Sequence, residues 1–458
     1  MKKLLLLTII VVIVVALLPF LGNRVVKSEL DNNIQTLTSY GIEVAKSSEE
    51  ATYLSAKKHY EFLVKDSKKF LKYLEQFSDN QLPPYIDAAL AGVLVGVDLE
   101  YSNFLFSDEV SADIYPLSLS SEMMEGIKKE DKDFYKYLKT LLESRGVLYH
   151  INYKIVSEGF DGYIKDIKEE YLLQDGSKIV LNISDAIFDG TGSLIAPTTL
   201  NSTIQKIGFN ATHDGEEFSL VLNDFTSNSN FKSHSTYTMQ ANLQSLEYKI
   251  SGTKKSDVLV DSSDISVNIS SNIEGEKAEF DAKSSFKELE IKTQTASFLA
   301  SGLNYVLRVS DVDKDALEGL RVLLSRTKSS YSNSLQDQIE KSTLNLFSKG
   351  LRFDIEEFSL ANFSIKDKKD IDGFKIKVNI VLKEDVALHK KSKPSPLSLL
   401  QNITLDAKLK FSKEMMAIIY KEVSLSKSMK NYAVEEGDNV VFNVKFLDKK
   451  LSINGKQL

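Results

Sequence analysis

The feature that most constrains this chain is alternation of apolar and polar residues over long stretches. In "FKIKVNIVLK", Phe374, Ile376, Val378, Ile380 and Leu382 face one way, and Lys375, Lys377, Asn379 and Lys383 face the other. "ITLDAKLKF" repeats the pattern with Ile403, Leu405, Ala407, Leu409 and Phe411, and "VVFNVKF" with Val440, Phe442, Val444 and Phe446. "VLYHINYKI", "FSLVL", "YTMQANL" and "ISVNI" carry it through the middle of the chain. A period of two is the mark of half-buried strands. One polar face per strand implies antiparallel sheets with a solvated side and excludes a doubly wound parallel sheet. In "MQANLQSLEYKI" the apolar set moves from Met239, Ala241 and Leu243 to Leu246, Tyr248 and Ile250, so a bulge or bend is expected there. Alternation is satisfied equally by sheets closed around a cavity and by stacked sandwiches.

Helices punctuate the strands. Residues 122–145 carry Met124, Ile127, Phe134, Leu138, Leu141 and Leu142 near helical spacing, with Gly146 as the C-cap. A second helical stretch opens near Asp313, breaks near Ser329, and resumes to Gly350. Residues 413–423 form a third and 68–77 a weaker fourth. Each precedes an alternating segment, which suggests a recurring helix–strand–strand unit.

The chain opens "MKKLLLLTIIVVIVVALLPFLGNR", in which residues 4–22 are 19 positions without a charge. At about 1.5 Å per residue that is roughly 28 Å, close to a hydrocarbon core of about 30 Å. There is no Ala-x-Ala cleavage site, so the run reads as a retained anchor. Lys2 and Lys3 put the N-terminus on the cytoplasmic side. "ALAGVLVGV" at 89–97 is too short to span, and its Gly92-x-x-x-Gly96 spacing reads as a buried segment of a soluble domain. The expected fold class is therefore α+β: predominantly antiparallel, curved β-sheets with several packed helices, preceded by one N-terminal transmembrane helix. The expected organisation is an anchor at 1–23, an α+β region at 24–145, a β-rich region at 146–310 and a helix-plus-sheet region at 311–458. A net charge of −7 argues against nucleic acid as a partner, and the absence of cysteine excludes thiol catalysis and cysteine zinc sites.

Motifs for chemistry are sparse. His59, His150, His213, His234 and His389 are scattered, with no pair at the spacing that sets two ligands on one helix face. His150 falls on the polar face of its strand. Asp311, Asp313 and Asp315 have the odd spacing of a calcium loop, but Ala316 and Val322 stand where that loop needs Gly and Glu, so the carboxylates read as a helix start. Ser55-x-x-Lys58 and Ser78-Asp79-Asn80 resemble two motifs of the penicillin-recognising serine enzymes, but the third, Lys-Thr-Gly, is missing. "DGTGSL", with Gly190 and Gly192, lacks the rest of a nucleotide fingerprint. The basic loop "HKKSKPSPLS" at 389–398 could touch anionic headgroups or simply be solvated. No catalytic residue, metal ligand or cofactor site is assigned.

The chain closes on "YAVEEGDNVVFNVKFLDKKLSINGKQL", a strand, a tight turn and a short strand ending in Asn454-Gly455-Lys456. With "GFDGYIKDI" at 159–167 and "FSLVLNDFTSNSN" at 218–230, this end resembles the YdgA-like family of bacterial proteins of unknown function. The likeness does not extend clearly to residues 28–66. The resemblance implies an inner-membrane anchor and a periplasmic body in a Gram-negative bacterium, and supplies no catalytic residues. The functional expectation is a non-enzymatic, membrane-anchored envelope protein whose sheet surface or groove receives a lipid or lipid-linked partner. The alternatives are a structural or protein-interaction module, and a periplasmic hydrolase built on Ser55 and Lys58.

Overall fold

A computed structural model describes residues 34–458 except 53–54, 75–84, 103–108, 174, 195, 234, 253–256, 328–332, 366–367, 385–401 and 423–429. The chain divides into two compact units, one ending at Asn230 and one beginning at Phe231. All described strand pairings are antiparallel.

The first unit rests on one sheet of β1 (Ile42–Ala51), β2 (Ser55–Val64), β3 (Leu94–Ser102), β4 (Glu109–Ser118), β5 (Tyr149–Lys154), β6 (Gly159–Ile164), β7 (Ile167–Leu172), β8 (Lys178–Gly192), β9 (Pro197–His213) and β10 (Glu216–Phe231). Pairing runs in sequence order from β1 to β6; β6 and β7 then share β8, which continues to β9 and β10. Helices α1 (Ser67–Leu74), α2 (Tyr85–Leu90), α3 (Ser121–Glu130) and α4 (Lys132–Glu143) supply the cover. Val95, Val97, Leu99, Ile114, Tyr149 and Ile151 from the strands bury with Phe70, Leu90, Leu138 and Leu142 from the helices. Each such side chain contributes about 1.5–3 kcal/mol on leaving water. The helix expected over 122–145 is two helices. Asp131 leaves helical geometry at φ −150°, and its carboxylate accepts from the backbone N–H groups of Asp133 (3.0 Å) and Phe134 (2.9 Å), which caps α4.

The second unit is also one sheet, ordered β11 (Tyr237–Ser251), β12 (Val258–Asn272), β13 (Lys277–Thr293), β14 (Ser297–Asp313), β15 (Leu351–Ile365), β16 (Lys368–Leu382), β17 (Ile403–Ser412) and then β19 (Asn439–Leu447). The short strands β18 (Val434–Glu436), β20 (Lys450–Ile453) and β21 (Lys456–Gln457) complete the β19 end. Its helices are α5 (Lys314–Thr327), α6 (Asn333–Ser348) and α7 (Lys413–Glu422). Asp313 caps α5 by accepting from the Ala316 N–H at 2.9 Å, as the helix-start reading of that aspartate run requires.

The mid-strand phase shift is not a one-residue bulge. Through Leu243↔Ile265 and Ser245↔Ser263 the register is unchanged, so Gln244 and Asp264 oppose each other at the shift. Asp264 adopts φ 47° and Gly302 φ 66°, and both stand across from Lys287. In the first unit Asp185 (φ 50°) and Asp224 (φ 52°) flank Gln205 in the same way. Asp and Gly reach the left-handed region at low cost, which is why they recur there. Within β8–β10, and separately within β11–β14, one left-handed residue in alternate strands makes a crease that those strands cross together. Apolar residues then stay on one face although their parity changes: Leu181, Ile183, Ala186 and Phe188 all pack in the same cluster.

The expected fold class needs correction. Antiparallel strand dominates, each unit is built on one sheet, and helices are a minor part. The expected antiparallel predominance and the expected helical stretches are present; what differs is that strands of 15–17 residues, such as β9 and β14, run on in one sheet per unit where several sheets were expected. Among the described residues no helix is long and apolar enough to cross a membrane, so the transmembrane helix finds no support. The expected anchor itself, residues 1–23, lies outside the described residues.

Candidate functional site

Two surfaces merit attention, one in each unit. In the first, the polar parity of four neighbouring strands sets His59, Asp98, Asp113 and His150 in one row across the sheet. His59 Nδ1 meets Asp98 Oδ1 at 2.6 Å, and its Nε2 lies 3.3 Å from Glu61. His150 Nδ1 meets Asp113 at 2.7 Å, its Nε2 lies 3.1 Å from Asn152 Oδ1, and its ring stacks on Tyr163. The other Asp98 oxygen accepts from Tyr115 (3.1 Å) and from the Arg145 guanidinium (2.6 Å), which also lies 4.2 Å from the Tyr115 ring centre. Burial, then the Asp98 charge, pushes the Tyr115 hydroxyl well above the usual phenol range. Gly96 makes this possible: a Cβ there would lie 2.4 Å from the Tyr115 ring.

The network borders a depression of about 360 Å³ that also touches Glu50, Lys57, Glu100 and Ser111. Its chemistry is closed on itself. Both nitrogens of each histidine face an acceptor of the network, so neither faces a hydroxyl or thiol that it could activate; general-base catalysis needs a ring nitrogen within reach of the proton it takes. His59 and His150 are three strands apart, roughly 14 Å. Among the described residues no His, Asp and Glu groups are arranged to hold a metal ion. The arrangement welds four strands together.

The sequence motifs disperse. Ser55 and Lys58 are three positions apart on β2, an odd spacing, so the pleat sends them to opposite faces. Ser55 is held by Thr52, and buried Lys58 sits 3.7 Å from Glu49. Ser78, Asp79 and Asn80 lie outside the described residues, as do His234, His389 and the 389–398 loop. His213 hydrogen-bonds Ser177 at 2.6 Å at the end of β9. Gly190 is a packing glycine inside β8, since a Cβ there would lie 2.3 Å from the Thr199 carbonyl and 2.4 Å from Phe160. The His59–Asp98 and Asp113–His150 pairs were missed because they join residues about 40 positions apart; the usable signal was that all four have the polar parity of their strands.

The second surface is the apolar face of the second unit. Register aligns Met239, Ile269, Ala282, Leu307, Ile355 and Val378 in one row across β11–β16, and Ala241, Val267, Ser284, Tyr305, Phe358 and Ile376 in the next. At about 4.8 Å per strand each row is roughly 24 Å long. Helices α5 and α6 bury Ala278, Val312 and Leu346, and α7 packs near Leu360, Phe363 and Ile371. The two rows belong to none of these buried clusters. Their members are half-buried, and Met239 and Ile269 are 36% and 37% exposed. An apolar strip of this extent, left half-exposed, is a candidate interaction surface.

The model of a bacterial protein family of unknown function (DUF945) matches residues 174–458, more than half of the chain, and the chain belongs to that family. No curated protein and no solved structure is significantly similar to it.

Proposed function

We propose, taking membership of this family as the premise, that the chain is a non-enzymatic envelope protein that receives the acyl part of a lipid or lipid-linked partner on the apolar face of its second unit. The observation that carries the reading is the pair of half-buried apolar rows on β11–β16. The row from Met239 to Val378, wholly apolar and about 24 Å long, exceeds the roughly 15 Å that one leaflet of hydrocarbon occupies, so an acyl chain laid along it would remain on apolar surface, with Ser284 the one polar member of the neighbouring row. The self-satisfied polar network of the first unit supports a role without catalysis.

The envelope location rests on the apolar leader of the sequence, and the finer YdgA-like relationship on the Asn454-Gly455-Lys456 ending; cell fractionation tests the first. The alternative, a protein-interaction module using a sheet edge, has less behind it. The outer strand β1 carries Glu43, Lys46, Glu49 and Glu50, charges that discourage strand addition. A hydrolase reading has lost its Ser55–Lys58 pair to the pleat.

The test is lipid extraction and mass spectrometry of the purified full chain. Co-purifying acyl lipid, depleted in the variant carrying Met239→Asp and Ile269→Asp, is the expected result. A lipid-free protein, or a load unchanged by those two charges, contradicts the reading.

A further inference from the structure

The opposite, polar face of β16 and β17 carries four lysines in a square. Lys375 stands directly across from Lys410, and Lys377 across from Lys408. The two-residue pleat sets Lys375 beside Lys377 and Lys408 beside Lys410 on the same face. All four are exposed. Like charges directly opposite on neighbouring strands, with Cβ atoms about 5 Å apart, destabilise a sheet.

The sheet supplies little compensation. Glu357 lies 3.2 Å from Lys375, and Asp406 is taken by Lys445 at 3.4 Å. Lys377, Lys408 and Lys410 form no salt bridge with another described residue. Lys377 and Lys408 border an open depression of about 460 Å³, together with Asp354, Glu356, Asn379 and Asp406; of these carboxylates Asp354 is taken by Arg352 at 2.7 Å and Glu356 lies 3.5 Å from Arg308. In a chain of net charge −7, four lysines sharing one carboxylate, Glu357, are a local departure from the average.

We propose that this lysine square docks the second unit on a bilayer surface containing anionic phospholipid. Charge complementarity favours that partner. The four ammonium groups lie on an exposed sheet face rather than around one enclosed anion, so they match a surface of many phosphates. The proposal rests on the lipid reading above only for its choice of anion. Each lysine close to an anionic membrane contributes about fivefold to partitioning, so removing two costs roughly 30-fold.

The test is co-sedimentation of the full chain with vesicles of phosphatidylcholine alone, and with vesicles containing phosphatidylglycerol as well. Binding to neutral vesicles sets the baseline. The expected result is stronger binding to anionic vesicles, weakened by salt. Lys408→Gln with Lys410→Gln lowers the anionic excess about 30-fold, whereas Lys128→Gln with Lys129→Gln, on the exposed side of α3, leaves it unchanged. Equal binding to both vesicle types, an excess untouched by the Lys408 and Lys410 changes, displacement by inorganic phosphate, or preference for a DNA oligonucleotide overturns the proposal. The two readings fail separately. The lysine variant keeps any co-purifying acyl lipid, and the Met239→Asp, Ile269→Asp variant keeps its binding to anionic vesicles.

Discussion

Replacing Gly96 by alanine perturbs the first unit at the point where its polar network depends on a missing side chain. The new Cβ would lie 2.4 Å from Tyr115 Cε2 and 2.6 Å from Cζ, distances no real pair adopts, so the ring must move. Tyr115 is 2% exposed, and displacing it strains a closed region. Overpacking of this kind costs about 1–3 kcal/mol. The hydroxyl also loses its bond to the Asp98 carboxylate, worth roughly 1.5–3 kcal/mol, and Arg145 loses its place over the ring, worth about 0.5–2 kcal/mol. Partial relaxation keeps the total below the sum, at about 3–5 kcal/mol. Tyr115→Phe, which removes only the hydroxyl, should cost about 1.5–3 kcal/mol. Urea unfolding followed by far-UV circular dichroism measures both. In a Tyr115→Ala background the collision partner is gone, and Gly96→Ala should then be neutral or slightly favourable, as alanine is over glycine in a strand. A Gly96→Ala protein as stable as the parent, or a cost that persists without the Tyr115 ring, would refute this account.

Other outcomes follow from the same geometry. Asn454, at φ 48°, accepts from the Asn443 backbone N–H (2.9 Å) and donates to the carbonyls of Tyr432 (2.7 Å) and Val441 (2.8 Å), so Asn454→Ala should lower stability by about 2–4 kcal/mol in the same unfolding assay. The Ser359 hydroxyl, then Lys375, holds the Glu357 carboxyl below its ordinary pKa. Its stabilisation is therefore complete above the pKa of the unfolded chain and lost as pH falls through the lowered one; Glu357→Gln should be less stable than the parent near neutrality and converge with it in acid, which unfolding curves across pH will register. Asp131→Ala should cost about 0.5–2 kcal/mol and fray the start of α4, seen as faster amide exchange at Asp133 and Phe134.

The strand character of the chain was legible because alternation is local. "FKIKVNIVLK" and "ITLDAKLKF" read correctly as strands with lysines on one side. That Lys377 faces Lys408 was not legible, since register between two strands depends on how the connection is closed. The crease shows the same limit. The parity change after Leu243 is visible in one strand, but the opposed Gln244 and Asp264, which turn a suspected bulge into a matched bend, appear only when two strands are aligned. Residues 122–145 read as one helix because the apolar period passes through Asp131; its role as a cap depends on the backbone turning away there. His59 and His150 looked isolated because their partners, Asp98 and Asp113, arrive from other strands. Ser55 and Lys58 match a motif by spacing, but their segment already reads as strand, and the pleat that sends them to opposite faces follows from that.

The central claim is that acyl chains lie on the half-buried rows of the second unit. Photo-crosslinking with a phospholipid bearing a diazirine in its acyl chain, followed by peptide mapping of the full protein, tests it most directly. The account predicts labels on the segments holding Met239, Ile269 and Leu307. Labels confined to the polar face of β16 and β17, or none in the second unit, would contradict it.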